Sequence, residues 1–516
     1  MENNLLIIGV VFIPLAGAVL SLFARANNQA QRYIGFGAAA LSWLWSLFLL
    51  VDVVDNGPQI YRLGDWQPPF GIVLVADSFS ALFTVMASTV MMSGLLYAVN
   101  CRDKVVKNES FTALFLSMMV GLNGTFLTGD LFTMFVFIEL LVIASVSLVA
   151  ISDNRLGLEA AIKYIFISGI GTVFLLLGIA SIYATFGTLN MADIAQQLST
   201  GERPLLARAA AILLMAAFLL KSAVFPFHYW QPDFHTTAPT PVHAVLSSVV
   251  VKIGVYGIIR MTTLLFVEEA AQIRQWITIL GVISIYFGSL GAFRTYDGKR
   301  MLAYSTFGQI GFILVAIGWG TPLAMVAAIV YAVNHAFIKS ALLMLMGVVS
   351  SNTKEKTATL EKIVGVGTKI RYAWAVSLLW LLGGLALAGL PPMNGFISKL
   401  LLVRSGTEAE DWLVLGLVIA AGLITIMYML RSWQTVFQTK PETFQVEFKK
   451  EGGDGILAPS FLIAICLGLG IYATPLFERA EATVEEITTP QIYIESVLPP
   501  ELLLNPVADA PQEVQR

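Results

Sequence analysis

Apolar residues in this chain gather in long continuous runs separated by short polar stretches, with no in–out alternation of the kind a barrel strand shows. The runs lie at about 4–25, 33–54, 74–98, 110–129, 131–152, 162–186, 206–230, 241–264, 274–293, 301–319, 322–349, 373–404, 411–437 and 455–476. Each is near the roughly 20 residues a helix needs to cross about 30 Å of hydrocarbon. In lipid every backbone N–H and C=O must find its partner inside the segment, so the runs predict α-helices. The expected fold is therefore an all-α polytopic membrane protein of about fourteen transmembrane helices. Gly187–Leu206 carries polar residues and is predicted to be a surface connection, and the Pro- and Glu-rich tail after Phe477 a peripheral segment. The first run lacks a basic flank, which favours a retained span over a signal peptide.

Composition agrees. Of 516 residues, 57% are hydrophobic and 13% charged, against about 25% charged in a soluble domain. Cys101 and Cys466 stand far apart and suggest neither a disulfide framework nor a metal site. There is no P-loop, no dinucleotide-binding glycine motif and no cysteine cluster for an iron–sulfur centre. The formal charge of −3 says little about partners. No cofactor, metal or nucleic-acid partner is expected.

The basic residues are unevenly distributed. Connections after odd-numbered runs hold 19 Lys and Arg, from Arg25 to Lys450, and the opposite side holds 8, Arg260 among them. The positive-inside rule then puts both termini outside the cytoplasm. The remaining four lysines, Lys221, Lys252, Lys339 and Lys399, fall near the middle of apolar runs, as does Glu139. Each costs about 2.5–3.5 kcal/mol at that depth, and together they rival the roughly 5–15 kcal/mol net stability of a whole domain. A static ion pair could absorb one lysine, but four lysines cannot all pair with one glutamate. An ammonium group out of water gives up its proton more readily than in water, so the set points to proton movement. Lys252 has only apolar or small neighbours (Val251, Ile253, Gly254, Val255) and is expected to be unpaired.

Two runs look broken. Pro226 follows Lys221 by five residues, and Pro391 and Pro392 precede Lys399. Proline removes a donor and frees carbonyls for water or an ion. Interrupted helices at matching places in two halves mark transporter sites, and runs four to eight and nine to thirteen make such halves, with breaks in runs seven and twelve. His335 stands four residues before Lys339, on the same helix face, and an imidazole pKa near 6.5 suits a relay. His228 follows the first break and could carry protons out of run seven. His235 and His243 are placed in a loop or at its edge.

These motifs resemble the antiporter-like membrane subunits shared by Mrp-type cation/proton antiporters, respiratory complex I and membrane-bound hydrogenases. The likeness rests on TGDLFTMFVFIELLVIAS with Glu139, KSAVFPFHYWQPDFHTTAPTPV with Lys221, SSVVVKIGVYGIIR with Lys252, KRMLAYSTFGQIGF, NHAFIKSALLMLMG with His335 and Lys339, and GLPPMNGFISK with Lys399. GDWQPPFGIVLVADSFSALF and TLNMADIA look most like the D-type member of the Mrp antiporters. The resemblance implies two inverted five-helix repeats, here within 106–265 and 270–440, preceded by helices in 1–105 and followed by a last helix and acidic tail in 441–516. It also implies a proton path through Glu139, Lys221, Lys252, His335, Lys339 and Lys399, partner membrane subunits, protons and Na+ as the ions moved, and the cytoplasmic membrane of a prokaryote. Catalysis would reside in other subunits if the parent complex were instead a redox-driven pump. Gln231 and His243 depart from the family pattern and are expected at the mouth of the first half-channel, where His228 and His243 are candidate entry residues.

The charge bias yields a direct test of orientation. Single cysteines placed between Lys354 and Arg371 should label only from the cytoplasmic side of sealed vesicles, and cysteines beyond Glu478 only from the outside. A cytoplasmic tail would reverse the orientation.

Overall fold

The computed structural model describes residues 3–200, 204–450 and 452–503. Each of the expected runs carries helix, and the reasons are local. Most begin at a capping side chain: Asp77, Asp130, Asn154, Asp297, Thr321 and Asp411 each accept a backbone N–H in the first turn of the helix that follows. Such caps satisfy donors that would otherwise be orphaned at the membrane boundary. Among the described residues ten helices are long and apolar enough to cross a membrane. The remaining runs fall on shorter or broken helices: Phe111–Leu127, Leu205–Lys221, the pair Ala373–Ala388 and Asn394–Glu408, and Leu457–Ile471.

Two helices form the centre. Thr240–Leu265 and Pro322–Ser351 have their apolar windows wholly buried, although they carry Lys252, His335 and Lys339. Around them, Leu5–Phe23, Asn28–Asn56, Arg155–Phe186 and Trp412–Trp433 turn large apolar side chains outward, among them Phe12, Phe48, Phe166 and Leu423. That is the distribution expected where the surrounding solvent is itself hydrocarbon. Thr240–Leu265 is not a uniform helix. Two π-helical stretches, Leu246–Val250 and Met261–Leu265, flank the α-helical Lys252–Arg260. Gly254 lets this short helix press against the chain end of Leu205–Lys221: a Cβ there would collide with the Phe218 carbonyl and Ser222.

Both expected breaks are present, and the first is sharper than the sequence suggests. The helix stops at Lys221 itself rather than running to residue 230. Ala223 then takes a positive φ of 54°, and the chain re-enters as Trp230–Thr237. The second break lies between Ala388 and Asn394, where Gly389 closes the first half in a left-handed conformation at φ 79°, the usual role of glycine after a helix end.

Several expectations need correction. Gly187–Leu206 is more than a connection: within it Met191–Thr200 is a helix with Met191, Ala192, Ile194 and Leu198 buried, and residues 201–203 lie outside the described residues. The helix's polar residues sit on one face, so composition alone understated its packing. The tail expected to be a peripheral segment carries helices as far as Leu502, and residues 504–516 lie outside the described residues. A bend of 79° after Ile471 leads into Thr474–Ile487, and Pro490–Val497 follows. Arg260 is no loop residue but 4% exposed inside the bundle. His235 and His243 lie in the helices Trp230–Thr237 and Thr240–Val245, each 1% exposed, and not in a loop. Outside the helices, Gln59–Arg62 pairs antiparallel with Val73–Ala76, which the sequence pattern did not announce.

Candidate functional site

The first break sets one end of a row of charges. Because the helix ends at Lys221, its ammonium lies against two neighbouring helices. Lys221 Nζ donates to Ser168 Oγ at 2.7 Å and stands 3.6 Å from Glu139 Oε1. That separation is an ion pair rather than a hydrogen bond. Glu139 in turn accepts from Thr172 Oγ1 at 2.6 Å. Ser168 and Thr172 are one turn apart on Arg155–Phe186, so one helix face holds both members of the pair. The two are unequally covered: the Glu139 side chain is 26% exposed and that of Lys221 7%.

The middle of the row departs from expectation. Lys252 is fully buried but not unpaired: its Nζ lies 2.7 Å from Nδ1 of His335. Residues around Lys252 in sequence are apolar, and the partner comes from a helix 83 positions away. His335 and Lys339, four residues apart on one helix, have different partners. The hydrogen bonds of Lys339 Nζ go to the Leu302 carbonyl at 3.0 Å and to Ser305 Oγ at 2.8 Å, and Ser305 pairs with Tyr428 OH at 2.7 Å. His335 therefore faces Lys252 across the helix interface.

The other nitrogen of His335, Nε2, has no hydrogen-bond partner among the described residues. His335 lines a cavity of about 10 Å³ together with Gln309, Tyr331, Ser398 and apolar groups, about the smallest space that holds one water molecule. Polar side chains continue from there. Tyr331 OH donates to Gln309 Oε1 at 2.6 Å, and Asn334 Nδ2 donates to Ser398 Oγ at 2.9 Å. At the second break Lys399 Nζ donates to the Ala388 carbonyl at 2.7 Å and sits 5.5 Å from the centroid of Phe312. A carbonyl freed by the break thus takes the lysine. Lys399, like Glu139, is only partly buried. The row is closed in the middle and open at both flanks.

The remaining histidines divide. His228 sits in the turn after Lys221 among Phe225, Phe287 and Phe307, with ring centroids at 5.6, 5.5 and 4.7 Å. Its Nδ1 has no hydrogen-bond partner among the described residues. His243 stands 5.6 Å from His235, ring to ring. Gln231 is likewise fully buried. Trp230 and Phe234 of the same segment pack on Tyr164. Among the described residues no group of His, Cys, Asp or Glu could hold a metal ion. Sequence reasoning missed the neutral partners Ser168, Thr172, Ser305 and Gln309, and the buried Asp77–Arg260 pair. Arg260 falls eight residues after Lys252 in an apolar run, a signal the loop assignment hid.

A sequence profile of the family described as "NADH:quinone oxidoreductase/Mrp antiporter, TM" matches residues 128–425, more than half the chain and all six residues of the row. The chain belongs to this family. A relative from Alkalihalophilus pseudofirmus, named as the D-type subunit of a Na(+)/H(+) antiporter, is 33% identical over 497 residues, covering 96% of this chain and 99% of the relative. A chain of the Mrp complex from Dietzia superposes with a TM-score of 0.85 at 23% identity, covering 96% of this chain and 99% of that one. A chain of the membrane-bound sulfane sulfur reductase, an archaeal respiratory membrane complex, does so at 0.85 and 28% identity, covering 95% and 100%. Membership in this family makes the chain a multi-pass membrane protein.

The unequal burial of the first pair gives a prediction. Glu139→Ala strands a lysine inside the bundle and should destabilise by about 3 kcal/mol, the scale of breaking a buried pair. Lys221→Met leaves a partly exposed carboxylate with Thr172 and should cost about 1 kcal/mol. Thermal unfolding of the purified complex measures both, and the reverse order would contradict the geometry.

Proposed function

We propose that the chain is the D-type subunit of a multi-subunit Na+/H+ antiporter and moves protons along Glu139–Lys221, Lys252–His335, Lys339 and Lys399. The observation that carries this reading is the partnering of the buried lysines. Lys252, Lys339 and Lys399 make their hydrogen bonds to a histidine, hydroxyls or carbonyls rather than to fixed carboxylates. A lysine locked to a carboxylate is held charged, whereas one facing neutral groups can exist in either protonation state. Loading one lysine repels a proton on the next, so occupancy is coupled along the row. His335 passes a proton between Lys252 and the cavity that it lines, and His228 and His243 serve access to the row from the first half.

The architecture that fits this role has fourteen spans, with inverted repeats in 106–265 and 270–440. The two breaks support it, since each falls in the fourth helix of its repeat and each has a lysine on it. The partly exposed Glu139 and Lys399 support membership in a larger assembly. A charged group cannot remain against lipid at that depth without cost, and a neighbouring membrane subunit would cover it. Na+ as the coupled ion, a prokaryotic cytoplasmic membrane and external termini belong to the same reading, the first by analogy with the antiporter relative. A second reading is favoured by the likeness to a respiratory complex: the same row would then serve a proton pump driven by electron transfer in other subunits. The subunits that co-purify with the chain separate the two.

Lys252 is the test. Lys252→Ala should abolish cation-driven proton flux in vesicles carrying the whole complex. Losing the partner of His335 Nδ1 costs about 1–3 kcal/mol, so subunit abundance should fall only modestly. Lys252→Arg should also fail, because arginine keeps its proton. Full flux in either variant at normal abundance would remove Lys252 from the path.

A further inference from the structure

A second buried charge cluster lies off the row, at the far end of the helix that carries Lys252. Asp77 caps the Ser78–Val99 helix: its Oδ1 accepts from Ser80 N at 2.8 Å, and Ser80 Oγ accepts from Asp77 N at 2.9 Å. The same carboxylate holds Arg260 with two bonds, Nη1 to Oδ2 at 2.5 Å and Nη2 to Oδ1 at 2.9 Å. Arg260 Nη2 also donates to Tyr256 OH at 2.9 Å, which donates to the Phe126 carbonyl at 2.7 Å. The guanidinium packs on Phe79, Tyr256 and Tyr493 at 5.2 to 5.3 Å. Glu486, from the bent C-terminal helix, accepts from Ser78 N at 3.2 Å and so brings a second carboxylate to the same helix end. Asp77 is 2% exposed and Arg260 4%.

Lys252, Tyr256 and Arg260 share one face at intervals of four residues. The α-helix they define is nine residues long and bounded by π-helical turns on both sides. Such turns put the backbone ladder out of step and recur at functional sites, and they leave a short helix whose axial setting its neighbours must fix. A buried ion pair adds little net stability over an apolar substitute, and its best-attested use is to set register. The pair here bridges 183 positions and is anchored by a helix cap that cannot move without losing its own bonds.

We propose that Asp77 and Arg260 are positioning residues. Their pair latches the Lys252–Arg260 helix so that Lys252 meets His335, and Glu486 ties the latch to the C-terminal segment. The inference rests on Lys252 as a proton carrier for its consequence in flux, but not for its structural part. Tyr256, Tyr493, Glu486 and Asp77 are the titratable groups packed around the guanidinium.

Asp77→Asn tests the latch, because asparagine caps a helix as well as aspartate does while removing the charge that holds Arg260. In the intact complex it should keep near-normal abundance, displace the pH of half-maximal cation-driven flux by about half a unit or more, and speed maleimide labelling of a cysteine at buried Thr263 about tenfold. Arg260→Lys should restore flux partway relative to Arg260→Met. Glu486→Gln leaves the bidentate pair whole and should give smaller shifts of the same sign, so it carries the test if Asp77→Asn fails to assemble. Unchanged pH profile and labelling at normal abundance, in Asp77→Asn or, failing assembly, in Glu486→Gln, would overturn the latch. Faster labelling together with full flux in Lys252→Ala would leave the latch standing and remove the proton role of Lys252.

Discussion

The hydrogen bond between Lys252 and His335 is the contact on which the rest of the molecule is arranged. It joins the two helices that are buried throughout, and both of its members can lose or gain a proton. An ammonium group in that position could have been held by a carboxylate, which would fix its charge. Here the partner is an imidazole whose second nitrogen has no hydrogen-bond partner among the described residues, on a residue that lines a water-sized cavity. The outer helices supply the apolar shell that keeps this pair from bulk water, and the caps at their ends satisfy the donors that a membrane boundary would leave bare.

The breaks follow from the same constraint. A continuous helix satisfies its own carbonyls and offers nothing to a buried lysine. Stopping one helix at Lys221 places its ammonium beside Ser168 and Glu139, and stopping another at Ala388 frees the carbonyl that takes Lys399. Both lie toward the flanks, where the chain is partly open, and the fully buried lysines lie between them. The row thus has two ends that neighbouring subunits can cover and a middle that only this chain controls.

Much of this was legible in the sequence. Runs of apolar residues located the helices, and charged residues inside those runs located the row, because hydropathy and charge are properties of single positions. Partnerships were not legible, since they join residues distant along the chain. Lys252 looked unpaired from its neighbours, and the His335 that pairs with it stands 83 positions away. Arg260 was assigned to a loop by its charge, although Asp77 neutralises it inside the bundle. The re-entrant helix with His235 and the packed helix at Met191–Thr200 were missed because polar residues on one face of a short helix read like a connection.

The central claim is that protons cross from Lys252 through His335 into the second half of the chain. The most direct measurement is the position of ordered water in the intact complex, from an electron cryomicroscopy map fine enough to place it. The account predicts a water in the cavity of about 10 Å³, hydrogen-bonded to His335 Nε2 and to the Gln309–Tyr331 pair, with further waters reaching toward Lys399. A dry cavity, with His335 Nε2 facing only carbon, would contradict it.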